Sequence, residues 1–466
     1  MALIDELNSA VGAAQVLTEG DLSAWEIDWR RRYRGRALAI VRPADTLEVA
    51  AVVRACARHG ASIVTQGGNT SLVGGSVPDA SGTQVVLSLK RMACIRHIDE
   101  PNLTMTVEAG CVLEQAQAAA ADRALLYPLS LAAEGSCTVG GTLATNAGGT
   151  QVLRYGNARE LCLGLEVVTP AGDIWNGLSG LRKDNTGYDL RDLYIGSEGT
   201  LGVITAATLK LYPQPAAVTT AMASLSTLEA AVRLLDMARS RLDAGLTGFE
   251  VMNETALDLV RRHFPQASQP LPRASWTVLL EQSDTESEIH ARVRFESLLE
   301  AALRDGCITD AAVAGNLEQA AAMWRLRELI PLAQAEEGLN IKHDISLPVS
   351  RIPDFVKHTD AVLETTWPGT RIVDFGHLGD GNLHYNVQAP PGVAAADFLR
   401  ANETAVNERV YNAVMAHGGS ISAEHGIGVL KRDTLAAYKS PVALQLMRAI
   451  KLALDPLGTM NPGRVL

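Results

Sequence analysis

Between residues 45 and 60 the apolar positions repeat with helical spacing. Asp45-Thr46-Leu47-Glu48 opens the run as a cap with a carboxylate three residues later, and it closes at His59 before Gly60. Residues 62–65 read as a short buried strand ending in a glycine turn, and 104–108 as another strand. After Gly110 an Ala-rich stretch predicts a helix over 113–123, and 164–169 and 202–211 are β-type runs rich in Val, Ile and Thr. The texture changes after Tyr212-Pro213-Gln214-Pro215. From about 224 to 416 long amphipathic helices alternate with strands such as 276–281 and 341–347. From Ser420 glycine-rich loops return, followed by a closing helix over 442–454. The pattern predicts an α+β protein divided as 1–215, 216–419 and 420–466.

Composition narrows the class. With 466 residues, a hydrophobic share of 47% and a charged share of 20%, the chain is globular and long enough for more than one core. A net charge of −11 argues against a nucleic-acid partner. The six cysteines are scattered without a C-x-x-C pair, so a reducing compartment is expected. The start is acidic where a signal or transit peptide would be basic, and no stretch approaches the ~18 apolar residues of a membrane span. A cytoplasmic protein is the expectation.

The 40 glycines are concentrated. One cluster runs Gln66-Gly67-Gly68-Asn69-Thr70-Ser71-Leu72-Val73-Gly74-Gly75. A second occupies 135–149, including Gly135, Ser136, Thr138, Gly141, Thr145, Asn146 and Gly148. A third is Asp184-Asn185-Thr186-Gly187-Tyr188-Asp189-Leu190, continuing into Ile195-Gly196-Ser197-Glu198-Gly199-Thr200-Leu201-Gly202. Glycine lets backbone N–H groups approach an anion closely, and the interleaved Ser, Thr and Asn are neutral donors. Such loops hold a pyrophosphate with few cations. Nowhere does G-x-G-x-x-G follow a strand and open a helix, so the glycine pattern does not match a dinucleotide fold of the Rossmann type.

A different chemistry is written in Gly376-His377-Leu378-Gly379-Asp380-Gly381-Asn382-Leu383-His384-Tyr385-Asn386 and in Ala423-Glu424-His425-Gly426. Two imidazoles seven residues apart across a Gly-Asp-Gly turn can face each other on a hairpin. With a carboxylate from elsewhere they form an N,N,O site that keeps a position open for substrate. Taken alone, these residues also suit a metal-dependent hydrolase, a reading that leaves the glycine clusters unexplained.

The three glycine segments, with the opening from Asp28-Trp29 to Val41-Arg42-Pro43, resemble the FAD-binding domain of the vanillyl-alcohol oxidase superfamily. The likeness is narrowest to the branch of D-lactate dehydrogenases, the glycolate oxidase FAD subunit and D-2-hydroxyglutarate dehydrogenases, and it spans essentially the whole chain. It implies a two-subdomain FAD-binding domain plus an α+β cap with an antiparallel sheet. The first loop and 135–149 would wrap the cofactor, Ile204 would touch its adenine side, and Asn461 of the Asn461-Pro462-Gly463 tail would return to the flavin. Some relatives carry a flavin-linking His where this chain has Asn69, so the resemblance implies a dissociable FAD. It further implies that His377, His384 and Glu424 bind a divalent metal, zinc first, with Mn, Co or Fe as alternatives. His425 would be the base that removes the hydroxyl proton while hydride passes to flavin N5. Imidazole suits that task because it titrates near neutrality.

The same resemblance places Arg327 and Lys342 at the far carboxylate of D-2-hydroxyglutarate and Asn386 near its hydroxyl. One departure is Pro331, where the dicarboxylate enzymes have Thr one helical turn past the arginine. It leaves D-lactate, D-malate and glycolate as competing substrates. Electrons would pass to a separate acceptor: an electron-transfer flavoprotein, a quinone or a cytochrome c. A homodimer is among the assemblies left open. A non-catalytic flavin subunit of a multi-chain oxidase is the reading from another class, and the complete metal and base motifs argue against it.

Overall fold

The computed structural model describes residues 2–466, which form two compact units. One comprises the chain up to Gly149, Gly156–Gln214 and Glu424–Leu466; the other comprises Thr150–Tyr155 and Pro215–Ala423.

The first unit holds two main sheets. In the four-stranded one, Val16–Leu17 pairs antiparallel with Ala37–Val41, which runs parallel to Gln84–Ser88 and then Ile63–Gln66. Ile40, Val64 and Val86 form a fully buried cluster within this sheet. The helix Thr46–His59 begins where the sequence indicates, with the Asp45 carboxylate accepting from Glu48 N–H, and Gly60 ends it in the left-handed conformation. The second sheet is antiparallel, in the order Ile95–Asp99, Thr104–Glu108, Val203–Lys210, Cys162–Val168, Ile174–Gly177.

The second unit is built on an eight-stranded antiparallel sheet. Its central strands run Ala217–Leu225, Trp276–Asp284, Leu246–Asn253, Arg371–His377 and Asn382–Gln388. Helices cover the sheet, and each of four opens on a Thr, Asn or Ser cap: Thr227, Asn253, Ser287 and Asn316. Met252, Leu279, Ile330 and Phe375 belong to the apolar core between helix and sheet. The strand expected over 341–347 is broken. Asn340–Ile341 and Asp344–Ser346 both pair with Asn382–Gln388, but between them His343 donates its N–H to the Asn386 side chain. All six cysteines are free, and among the described residues no helix is long and apolar enough to cross a membrane.

Candidate active site

The first unit contains a cavity of about 280 Å³, far larger than a packing void. Gly67, Gly68, Asn69, Thr70 and Ser71 line one side, and Thr138, Gly141, Thr145 and Gly148 another. Ile204, Ser197–Gly199, Glu424 and His425 complete the wall. The glycines are needed because backbone segments cross here. A Cβ on Gly67 would lie 2.2 Å from Thr138 Oγ1, and one on Gly68 would lie 2.1 Å from the Ser136 carbonyl oxygen. Asn69 takes a positive φ of 57°, and its amide donates to the carbonyls of Ala24 and Ile27 at 3.2 and 2.9 Å. The loop is thereby tied to the N-terminal segment.

No Lys or Arg is among the residues lining this cavity; its polar atoms come from backbone, hydroxyls and Asn69, with the Glu198 and Glu424 carboxylates and the His425 ring on the remaining wall. Thr65 contributes a buried Oγ1 without a protein partner. An enclosure of closely approaching amides, neutral donors and an orphaned hydroxyl fits the pyrophosphate and ring system of FAD.

Not every expected cofactor residue lies on this wall. Gly135 and Ser136 are exposed outside it. Asn146, at φ 51°, accepts the Arg159 N–H at 3.0 Å and shapes its turn. Asn461 is buried behind the cavity, donating to the carbonyls of Gly75 and Glu198 at 3.0 and 2.7 Å. The first half of the third glycine segment, 184–190, is exposed and is not among the residues lining this cavity. Only its continuation through Ser197–Gly199 and Gly202 does.

Glu198 escaped the sequence reading. Its carboxylate accepts the N–H groups of Ile427 at 2.7 Å and Gly428 at 2.8 Å, two and three residues after His425. Burial pushes its pKa up, against the pull of those two amides.

In the second unit, His377 ends its strand and His384 lies on the next, with ring centroids 5.8 Å apart. The hairpin foreseen from the Gly-Asp-Gly turn is formed. His377 Nδ1 lies 2.5 Å from Glu250, a residue the sequence did not single out. A ring engaged at Nδ1 by a carboxylate is set to ligate through Nε2, so the pair fits a metal. His384 Nδ1 lies 3.9 Å from Asp344, itself held by Asn382 Nδ2 at 3.0 Å.

Glu250 also accepts from Arg327 Nε at 2.7 Å. Burial would raise its pKa, but His377 and Arg327 hold it at about 2. Arg327 lies on the helix Leu317–Glu337, with its guanidinium 4.6 Å over the Phe375 ring. Pro331 sits inside that helix and cannot donate to the Arg327 carbonyl. Lys342 is exposed at the break in the strand. Asn386 is committed to protein partners, accepting from His343 N–H at 3.1 Å and donating to Gln334 at 3.0 Å.

Residues 37–177 match the family model for an FAD binding domain, and 214–465 match the C-terminal domain of FAD linked oxidases. The mitochondrial D-2-hydroxyglutarate dehydrogenase of Bos taurus is 39% identical over 453 residues, 97% of this chain and 81% of that one. The D-2-hydroxyglutarate dehydrogenase of Xanthomonas citri pv. viticola is 39% identical over 98% of this chain and 96% of that one. That of Stutzerimonas stutzeri is 37% identical over 100% and 98%. The chain belongs to the FAD-dependent D-2-hydroxyglutarate dehydrogenase family.

As a member of that family it is an FAD-dependent oxidoreductase. Solved structures agree on the vanillyl-alcohol oxidase type of fold. P-cresol methylhydroxylase with substrate bound superposes with a TM-score of 0.76 at 18% identity, covering 99% of this chain and 96% of that one. An alkyldihydroxyacetonephosphate synthase does so at 0.72 and 16%, covering 99% and 84%.

Proposed function

We propose that this dehydrogenase oxidises D-2-hydroxyglutarate to 2-oxoglutarate on a dissociable FAD, with a divalent metal, zinc first, held by His377, His384 and Glu424. The observation that carries the substrate class is Arg327. It is 8% exposed and fixed through Nε, yet neither Nη nitrogen has a protein partner among the described residues. A buried guanidinium with a vacant two-nitrogen edge suits the distal carboxylate of a dicarboxylic acid. Lys342 adds positive charge, and Asn386 holds the strand near the substrate hydroxyl.

When bound, the flavin supplies a hydride acceptor at N5 and the metal a Lewis acid for the substrate's hydroxyl. This chain's own residues do the rest. His425 takes the hydroxyl proton on a ring nitrogen, Glu198 holds the loop that carries it, and Arg327 orients the acid. The Asn69 amide, already engaged by two carbonyls, supports a cofactor without a covalent link. The first unit acts as the flavin domain and the second as the substrate cap. Electrons leave to a separate acceptor, such as an electron-transfer flavoprotein, a quinone or a cytochrome c. The six free cysteines favour a reducing compartment, with the cytoplasm first.

Pro331 favours a second reading, a smaller D-2-hydroxy acid such as D-lactate or D-malate, because it removes a hydrogen-bonding side chain one turn past Arg327. His425→Ala separates base from binder. FAD should stay bound while anaerobic flavin reduction slows by roughly 10²-fold or more. An unchanged rate removes His425 from the chemistry.

A further inference from the structure

Glu250 sits in the middle of the strand Leu246–Asn253 and is 0% exposed. A carboxylate there is costly unless both oxygens are paired. The register places it directly opposite His377 on the neighbouring strand, so the two side chains emerge on one face of the sheet. One oxygen meets His377 Nδ1 at 2.5 Å and the other meets Arg327 Nε at 2.7 Å. Phe375, two residues before His377, packs under the Arg327 guanidinium at 4.6 Å and beside the His384 ring at 4.9 Å. A single anion therefore touches an imidazole of the hairpin and the cation with a vacant edge.

We propose that Glu250 is a positioning residue that links acid recognition to metal ligation. It holds His377 as the Nδ1–H tautomer, with Nε2 for the ion, and holds Arg327 by its Nε edge, with the Nη pair for a carboxylate. This rests on the reading above, in which His377 ligates a metal and Arg327 meets the substrate. A carboxylate behind a ligating histidine fixes ring orientation and raises its basicity, and its removal costs such sites about 10–100-fold in metal affinity. Here the same removal also unseats the guanidinium. Glutamine keeps the shape, but its amide has one acceptor where two are needed, so one of the two contacts must reverse or break.

The test measures zinc affinity by competition with a chromophoric chelator, and KM for D-2-hydroxyglutarate and D-lactate, on FAD-loaded enzyme. Removing Glu250 alone strands a buried arginine, so Glu250→Gln is paired with Glu250→Gln/Arg327→Met, which buries no unpaired charge. Both variants should bind zinc 10–100-fold more weakly than wild type. Arg327→Met alone should keep wild-type zinc affinity and lose the preference for the dicarboxylate. Wild-type zinc affinity in the double variant overturns the link. Wild-type enzyme that binds no zinc overturns the metal reading beneath it, and the two failures are told apart by which protein shows them.

Discussion

The Glu198 carboxylate accepts the amide of Gly428 at 2.8 Å across 230 positions of sequence, and the amide of Ile427 at 2.7 Å. It thereby pins the turn that follows Glu424 and His425 to the wall of the cofactor cavity. Glu198 itself adopts a positive φ of 52°, a conformation kept where neighbours determine it.

Glu198→Ala leaves both amide donors without their acceptor. We expect a loss of about 2 kcal/mol in chemical denaturation of the apoprotein and weaker FAD binding by fluorescence titration. Glu198→Gln should fall between the two proteins. Wild-type values for the alanine variant would show that the loop is held by other contacts.

Arg327→Ala should raise KM for D-2-hydroxyglutarate by roughly 10–100-fold, the value of a charge-assisted pair, and change KM for D-lactate far less. Steady-state kinetics with a dye acceptor measures both. Equal effects on the two acids would remove the distal-carboxylate role.

Two carboxyls of the second unit, one half-buried and one buried, respond to pH in opposite senses. Arg371, His263 and Arg262 hold Glu337 at about 2 despite partial burial. Its contribution is complete above the unfolded value of 4.5 and is lost as pH falls from there toward 2. Asp374 is 0% exposed with neither oxygen paired, and burial, reinforced by Asp360, raises it well above 3.8. Its folded form keeps a proton that the unfolded chain releases, so it erodes stability as pH rises past 3.8. Asp374→Asn should therefore gain stability over wild type on going from pH 4 to pH 7, and Glu337→Gln should lose its deficit on going from pH 5 toward 3. Thermal melts across pH measure both, and parallel curves for either variant contradict its assignment.

The capped helix before Gly60 and the histidine hairpin were legible because their signals are local: a cap with its carboxylate, and a Gly-Asp-Gly turn between imidazoles. Glu250 was not legible. It lies inside the apolar run Phe249-Glu250-Val251-Met252, and its partners stand 77 and 127 residues away. Glu198 was hidden in the same way, its partners brought near only by the returning C-terminal segment. The stretch 184–190 shows the converse error. Glycine, Asn and Thr mark an exposed loop as readily as a cofactor cradle, and composition alone does not separate them.

The most direct measurement is anaerobic flavin bleaching of the holoenzyme by the two enantiomers of 2-hydroxyglutarate, before and after metal removal by a chelator. Rapid bleaching by the D form alone, loss of that bleaching in the stripped enzyme, and its return on adding zinc are the expected results. Equal response to both enantiomers, or bleaching indifferent to the chelator, would contradict the proposed mechanism.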